Sequence, residues 1–378
     1  MNRSFTMKKI FVLLIAALFS VVVFAGCTPA AVTEDPAEDR LQVITTIFPQ
    51  YDFIRQIAGD RVELSMLISP GAEAHSFDPA PRDIIALNEA DLLVYVGGHS
   101  EDWVQDILAS LDTPPRAVVA LMDLVELVYS DAHDHDHDHH HNDHHHDDHH
   151  HDDHHHNDHH HNDHHHDDHH NDHNDHHNDH HHDDHHNDHH NDHDNDHHHD
   201  HDYDEHVWTS PQNAIAIVEA LADILIELDP DNAEYFQANA VAYVAELEAL
   251  DQAFAEVVEQ GVRDTIIFAD RFPFRYLMDA YGLHAYAAFP GCSAETQASP
   301  ATIAELIGKI NAEEIPVVFT IEFSSRLIAN AIVADIDHEV EILELHSAHN
   351  LSAADYAAGV TWLDIMQRNV NNLREALS

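Results

Sequence analysis

Imidazole dominates the chemistry open to this chain. Of its 45 His, 39 fall between His133 and His206, in units such as His-His-His-Asn-Asp and His-His-His-Asp-Asp. Neutral imidazole ligates zinc, copper, nickel and iron, and interspersed carboxylates multiply the two- and three-ligand sites it can make. Near neutral pH most of these rings are uncharged, so their nitrogens can coordinate. From Asp131 to Glu205 there is no Lys or Arg, and the only aliphatic residue is Ala132. Such a stretch cannot bury apolar surface to offset the entropy of ordering its backbone. A disordered, solvated loop is predicted, with His133 to His201 as an auxiliary metal-binding array. The bland alternatives are an expression tag, which would be short and terminal, and a neutral low-complexity expansion.

Six His lie elsewhere: His75, His99, His284, His338, His346 and His349. Their place depends on the elements that carry them. Leu41–Phe48, Val62–Ile68, Leu92–Val96 and Ala117–Leu121 read as strands, with helices between them at Tyr51–Ala58, Pro81–Asn88 and Glu101–Leu111. After the His-rich stretch, Ser210-Pro211 starts a helix to about Leu228, with Ser210 as N-cap. Asp231 to Gln260 has apolar residues at spacings of three and four, and reads as one long helix stopped by Gly261. A second alternation follows, with strands at Thr265–Ala269, Ala285–Phe289, Val317–Ile321 and Glu341–Leu345, and a closing helix over Ala353–Leu377. The expected fold is α/β: two similar parallel-sheet lobes joined by a long rigid backbone helix, with the site in the cleft.

In parallel sheets, ligands bind beyond the carboxyl ends of the strands. His75 follows the second strand of the first lobe and His99 the third. In the second lobe Asp270 follows the first strand, Glu322 the third and His346 the fourth. His206 opens the helix after the insertion. Groups of this kind, brought to one cleft, can enclose a zinc or manganese ion. His99 reads as a surface residue near a helix N-terminus; His284, His338 and His349 read as solvated loop positions. Trp103, Trp208 and Trp362 read as core or anchor residues.

The segment Pro70-Gly71-Ala72-Glu73-Ala74-His75-Ser76-Phe77-Asp78-Pro79, together with Asp204-Glu205-His206-Val207-Trp208-Thr209-Ser210-Pro211, resembles the substrate-binding lipoproteins of zinc and manganese ABC transporters. An acidic, His-rich loop before the second motif is a mark of the zinc members. The resemblance runs from about residue 41 to 378 and implies that His75 and His206 are metal ligands. Where zinc members often carry a third His, this chain has Phe268-Ala269-Asp270-Arg271-Phe272-Pro273. Where the family often has a carboxylate near the last strand, it has Leu345-His346-Ser347. Asp270, His346 and Glu322 are therefore the second-lobe candidates, with Cys292 and Glu295 as further ones.

The formal charge is −56, and residues 131–206 hold 26 Asp and Glu with no base, so about −30 belongs to the remainder. That excludes nucleic acid and anionic surfaces as partners. Arg3, Lys8 and Lys9 precede an apolar run from Ile10 to Phe24, the layout of a signal peptide. Phe24-Ala25-Gly26-Cys27 resembles a lipobox, which implies lipidation of Cys27. The expected organisation is a signal peptide over 1–26, a lipidated Cys and tether over 27–40, a first lobe over 41–229 with the insertion at 131–205, a linking helix over 230–260 and a second lobe over 261–378. No His-Glu-x-x-His or Gly-x-Ser-x-Gly motif is present, so no enzyme is expected. The expected function is that of a monomeric, extracytoplasmic, membrane-anchored receptor. It captures a divalent ion, Zn2+ with Mn2+ as the alternative, and delivers it to an ABC permease. A zinc storage or buffering protein and an adhesin are the other readings.

Overall fold

A computed structural model describes residues 40–72, 77, 79–130, 203–289 and 298–378. The leader run, Cys27, His75, the array His133 to His201, Cys292 and Glu295 lie outside the described residues.

The first sheet is built from β1 (Leu41–Thr45), β2 (Val62–Met66), β3 (Leu92–Tyr95) and β4 (Ala117–Ala120), all parallel, in the order β2-β1-β3-β4. Three helices connect them: α1 (Phe48–Ala58), α2 (Pro81–Glu89) and α3 (Asp102–Ser110). The second sheet repeats the plan with β5 (Thr265–Phe268), β6 (His284–Ala287), β7 (Val317–Thr320) and β8 (Glu341–Glu344), in the order β6-β5-β7-β8. Its connectors are α6 (Arg275–Tyr281), α7 (Pro300–Glu313) and α8 (Leu327–Ala334). Between the lobes come α4 (Pro211–Leu228) and α5 (Ala233–Gln260); α9 (Ala353–Ala357) and α10 (Trp362–Leu377) close the chain. The central strands read as unbroken apolar runs because both of their faces are covered; every residue of β5 and β7 is buried.

Each sheet reverses its strand order beside its first strand, β1 against β3 and β5 against β7, which opens a crevice at the carboxyl ends. The 28 residues of α5 span about 42 Å. This helix packs on α1 and α4 of the first lobe and on α6 and α10 of the second. One apolar core runs through both lobes and includes Phe53, Trp208, Phe236, Phe268 and Trp362. Away from the crevice, buried Asp52 of α1 ties the lobes together. Its Oδ2 accepts from the Trp362 N–H at 2.6 Å, and its Oδ1 accepts from Arg55 at 3.0 Å.

Some boundaries differ from those expected, two of them for a clear local reason. Strand β1 ends at Thr45, and α1 starts at Phe48 rather than Tyr51. Gln50 Oε1 accepts from the Thr46 and Ile47 N–H groups, both at 3.0 Å, and so turns the chain out of the sheet. The closing helix is two helices, parted where Gly359 takes φ +76° and restarted by the reciprocal Thr361–Asp364 cap. Ser210 stands at the N-cap of α4, but its hydroxyl makes no capping bond.

Candidate metal centre

His206 lies just past the insertion, at the entrance to a short 3-10 turn (Val207–Thr209) that leads into α4. It is buried at 4% exposure, with Val207, Trp208 and Thr209 buried behind it. Asp204 fixes the ring. Its Oδ1 accepts from both the backbone N–H and the ring Nδ1 of His206, each at 2.9 Å. Burial pushes the Asp204 carboxyl up, but the His206 contacts and the charge of Arg275 outweigh that and hold it below the usual carboxylate range. Asp204 is therefore ionised, Nδ1 carries the proton, and Nε2 keeps its lone pair. A carboxylate that sets the tautomer of an imidazole in this way is the usual support of a metal-ligating His. The second lobe braces the pair: Tyr276 Oη of α6 donates to the Asp204 carbonyl at 2.8 Å.

His206 also lines a small cavity. Its volume is about 10 Å³, room for one water or one ion. The described residues that line it are Ile47, Ile68, Val96, Ser100, Glu101, Glu205, His206, Trp208 and His349. His349 belongs to the loop after β8. Its ring stands edge-on to His206, with centroids 6.2 Å apart at 80°, and tilts onto Trp208 at 5.3 Å. The expected solvated position for His349 is thus corrected. Trp208 Nε1 donates to the Ser347 carbonyl at 2.8 Å, which locks this loop of the second lobe onto the first.

The other second-lobe candidates lie outside the described lining of this cavity. Glu322 accepts from the Ser347 N–H at 2.8 Å, and the Ser347 hydroxyl donates to its second oxygen. His346 Nδ1 lies 3.7 Å from Glu322 but accepts from the Ala348 N–H at 2.9 Å. We read the shorter contact as decisive: Nδ1 is an acceptor, the neutral ring carries its proton on Nε2, and neither nitrogen has a lone pair to spare. The backbone of His346 is also held, by both ends of the buried Asn369 amide. Asp270 closes a local turn, accepting from the Arg271 N–H at 2.9 Å. Glu322 and His346 therefore shape the loop that presents His349. His99 is exposed and pairs with Asp102 at 3.4 Å.

His75 lies outside the described residues, but the chain that leads to it does not. Asn350, next to His349, donates to the Ser69 carbonyl at 3.1 Å and the Ala72 carbonyl at 2.7 Å. The described segment that precedes His75 in sequence is therefore strapped, at Ser69 and Ala72, to the loop that carries His349.

Two carboxylates reach the cavity that the sequence reasoning passed over. Glu205 accepts from the Ser100 N–H at 3.0 Å and from the Ser100 hydroxyl. Gly98 permits this: its φ is +79°, and a Cβ there would meet Glu205 Oε1 at 2.5 Å. Glu101 is buried, and its Oε2 accepts from the Val96 and Gly97 N–H groups at 2.5 and 3.3 Å. Burial pushes its pKa up to about 7, against the hydrogen bonds from Val96 and Gly97, with the charge of Glu205 adding to the rise. The signal for Glu101 in the sequence is the turn Gly97-Gly98-His99-Ser100-Glu101 at the end of β3.

A stability prediction follows for the metal-free protein. Between pH 4.5 and 7 the folded state holds more protons on Glu101 than the unfolded state, so this group lowers stability as pH rises through that window. A shift of this size corresponds to at most about 3 kcal/mol. With chelator present, Glu101→Gln should match the parent near pH 5 and exceed it in urea-unfolding stability at pH 8. An equal gap at both pH values would show that Glu101 is ionised throughout.

Comparison with known proteins shows what the chain is similar to. The family model described as "Zinc-uptake complex component A periplasmic" matches residues 43–376. The zinc-binding lipoprotein AdcA of Streptococcus pneumoniae is 28% identical over 98% of this chain, which spans 61% of the length of that relative. The high-affinity zinc uptake system protein ZnuA of Bacillus subtilis is 26% identical over 96% of each chain. Among solved structures, the Zn(II)-bound ZnuA-like domain of Streptococcus pneumoniae AdcA is 24% identical with a TM-score of 0.62. That match covers 90% of this chain and 99% of the domain, and shows that the fold is shared.

Proposed function

This chain belongs to the family of periplasmic A components of zinc-uptake complexes, and on that premise we propose that it is an extracytoplasmic receptor that captures one zinc ion and hands it to an ABC permease. The observation that carries this reading is His206. Its Nδ1 is committed to an ionised Asp204, and its ring shares a one-ion cavity with His349. His75, which follows the segment strapped by Asn350, completes the imidazole set. A set rich in nitrogen favours zinc over manganese, which prefers oxygen. The first lobe supplies His75 and His206 and the second supplies His349, so the ion joins the lobes across the crevice.

The further organisation is proposed with it. Cys27 carries a lipid that anchors the receptor to the outer face of the cell membrane. The receptor works as a monomer and catalyses no reaction. The negative charge of the chain repels nucleic acid and draws in cations. Isothermal titration of chelator-stripped protein with Zn2+ and then Mn2+ tests the reading. One tight zinc per chain, with weaker sites in addition and a weaker response to manganese, is the expected result. Absence of any site tighter than those of the isolated His-rich peptide would overturn it.

A further inference from the structure

The turn after β7 departs from the rest of the chain in two ways. The first is conformational. Phe323 and Arg326 hold φ of +58° and +57°, two of the four non-glycine residues with positive φ among the described residues. A side chain in that region is strained. The first lobe makes the corresponding turn, after β3, with Gly97 and Gly98 at φ +91° and +79°. The second lobe thus keeps side chains where glycine would fit, and it does not bury them. Phe323 is 61% exposed and Leu327 73%, and Arg326 is exposed beside them. The Ser324 hydroxyl holds the turn by accepting from the Arg326 N–H at 3.2 Å. The second departure is electrostatic. From Phe323 to Ala334 there is no Asp or Glu, and Arg326 is the only charge, in a chain of net charge −56. Backbone strain kept in order to display an aromatic, a guanidinium and an aliphatic side chain is the mark of a contact surface.

Phe323 stands three residues past the carboxyl end of β7, one of the two strands beside which the crevice opens. Its neighbour Glu322 is buried and accepts from the Ser347 N–H at 2.8 Å, in the loop that carries His349. The turn is therefore continuous with the crevice wall. A second copy of this chain meeting the turn across a two-fold axis would set Arg326 against Arg326. The occupant that fits is a different protein, whose face offers an apolar socket with carboxylates at its edge. We propose that Phe323, Arg326 and Leu327 form a docking surface for such a face, and that this face is the outer mouth of the permease. The proposal rests on the receptor reading above, in which the permease is the protein that must come to the crevice, and adds the place where it grips the second lobe.

Phe323→Gly separates docking from folding. Glycine adopts positive φ without strain, so the metal-free variant should melt within about 3 °C of the parent. It should also bind zinc within about 3-fold of the parent. Zinc uptake by cells that make the full-length receptor and its permease should nevertheless fall at least ~10-fold, and Phe323→Tyr should restore most of it. Unchanged uptake in Phe323→Gly overturns the proposal. So does loss of the fold or of zinc binding, since either makes the turn a structural part of the receptor. With p-benzoylphenylalanine at position 323, irradiation of the same cells should join the receptor to a permease subunit. A product with a second copy of the chain, with lipid or with no protein at all overturns the assignment. If the parent itself holds no tight zinc, the receptor reading falls first and the docking surface with it; a parent that binds zinc and a variant with full uptake remove the docking surface alone.

Discussion

His349→Ala and His206→Ala are each expected to lower zinc affinity by ~100-fold, whereas His346→Asn should change it by no more than about 3-fold, under about 1 kcal/mol. The contrast is informative because the two His stand three residues apart on one loop. His346 Nδ1 receives the Ala348 N–H at 2.9 Å, two residues on. An Asn side chain can accept that bond equally well, so the turn survives while the imidazole is lost. His349 has its ring against His206 and Trp208 in the wall of the cavity. Competition with a zinc chelator at pH 7.5 measures all three variants, and thermal unfolding of the metal-free forms confirms that each is folded. Tight binding by His349→Ala with loss in His346→Asn would reverse the assignment and require a different loop conformation around the ion.

Much of this fold was legible because the two periodicities are clean. The apolar runs of β1, β3, β5 and β7 alternate with helical spacing, and both lobes show it. His206 was legible because its neighbours are specific: Trp208 anchors the turn and Pro211 starts a helix. The place of His349 was not. Leu345-His346-Ser347-Ala348-His349-Asn350 offers two imidazoles, and spacing alone cannot say which faces in. What decides is Ala348 at φ +59°, a conformation that few side chains adopt and that composition does not announce. That kink turns His346 back onto its own backbone and leaves His349 facing the first lobe. Glu101 was hidden for a different reason. A carboxylate at a helix start reads as a cap, and its burial becomes evident only when β1, β3 and the His206 turn are packed together. The break at Gly359 was readable in principle, since Gly359-Val360-Thr361 interrupts the helical spacing and Thr361 to Asp364 has the form of a cap.

Excision of residues 131–202, with Ser130 joined to Tyr203 through two glycines, is expected to leave the fold and one tight zinc site intact while removing most of the additional zinc bound per chain. The feasibility lies in how the chain enters and leaves the insertion. Tyr129 and Tyr203 form an antiparallel bridge, and their rings stack at 4.8 Å and 14°. The Asp204 N–H donates to the Val128 carbonyl at 2.9 Å. The two ends therefore already meet as the base of a hairpin, and a short Gly-containing loop closes such a base without strain. Asp204 and His206 follow this base, and Tyr276 donates to the Asp204 carbonyl, so the groups proposed to set the tight site are kept by the excision. On the proposed reading the array acts on supply, as many weak imidazole sites joined to the receptor, and its removal should slow loading at low free zinc more than it changes the final affinity. Metal content after dialysis, chelator competition and stopped-flow loading separate these effects. Loss of the tight site on excision would place the cargo in the array and leave the cleft without its role; an unchanged metal content would deny the array any part in zinc handling.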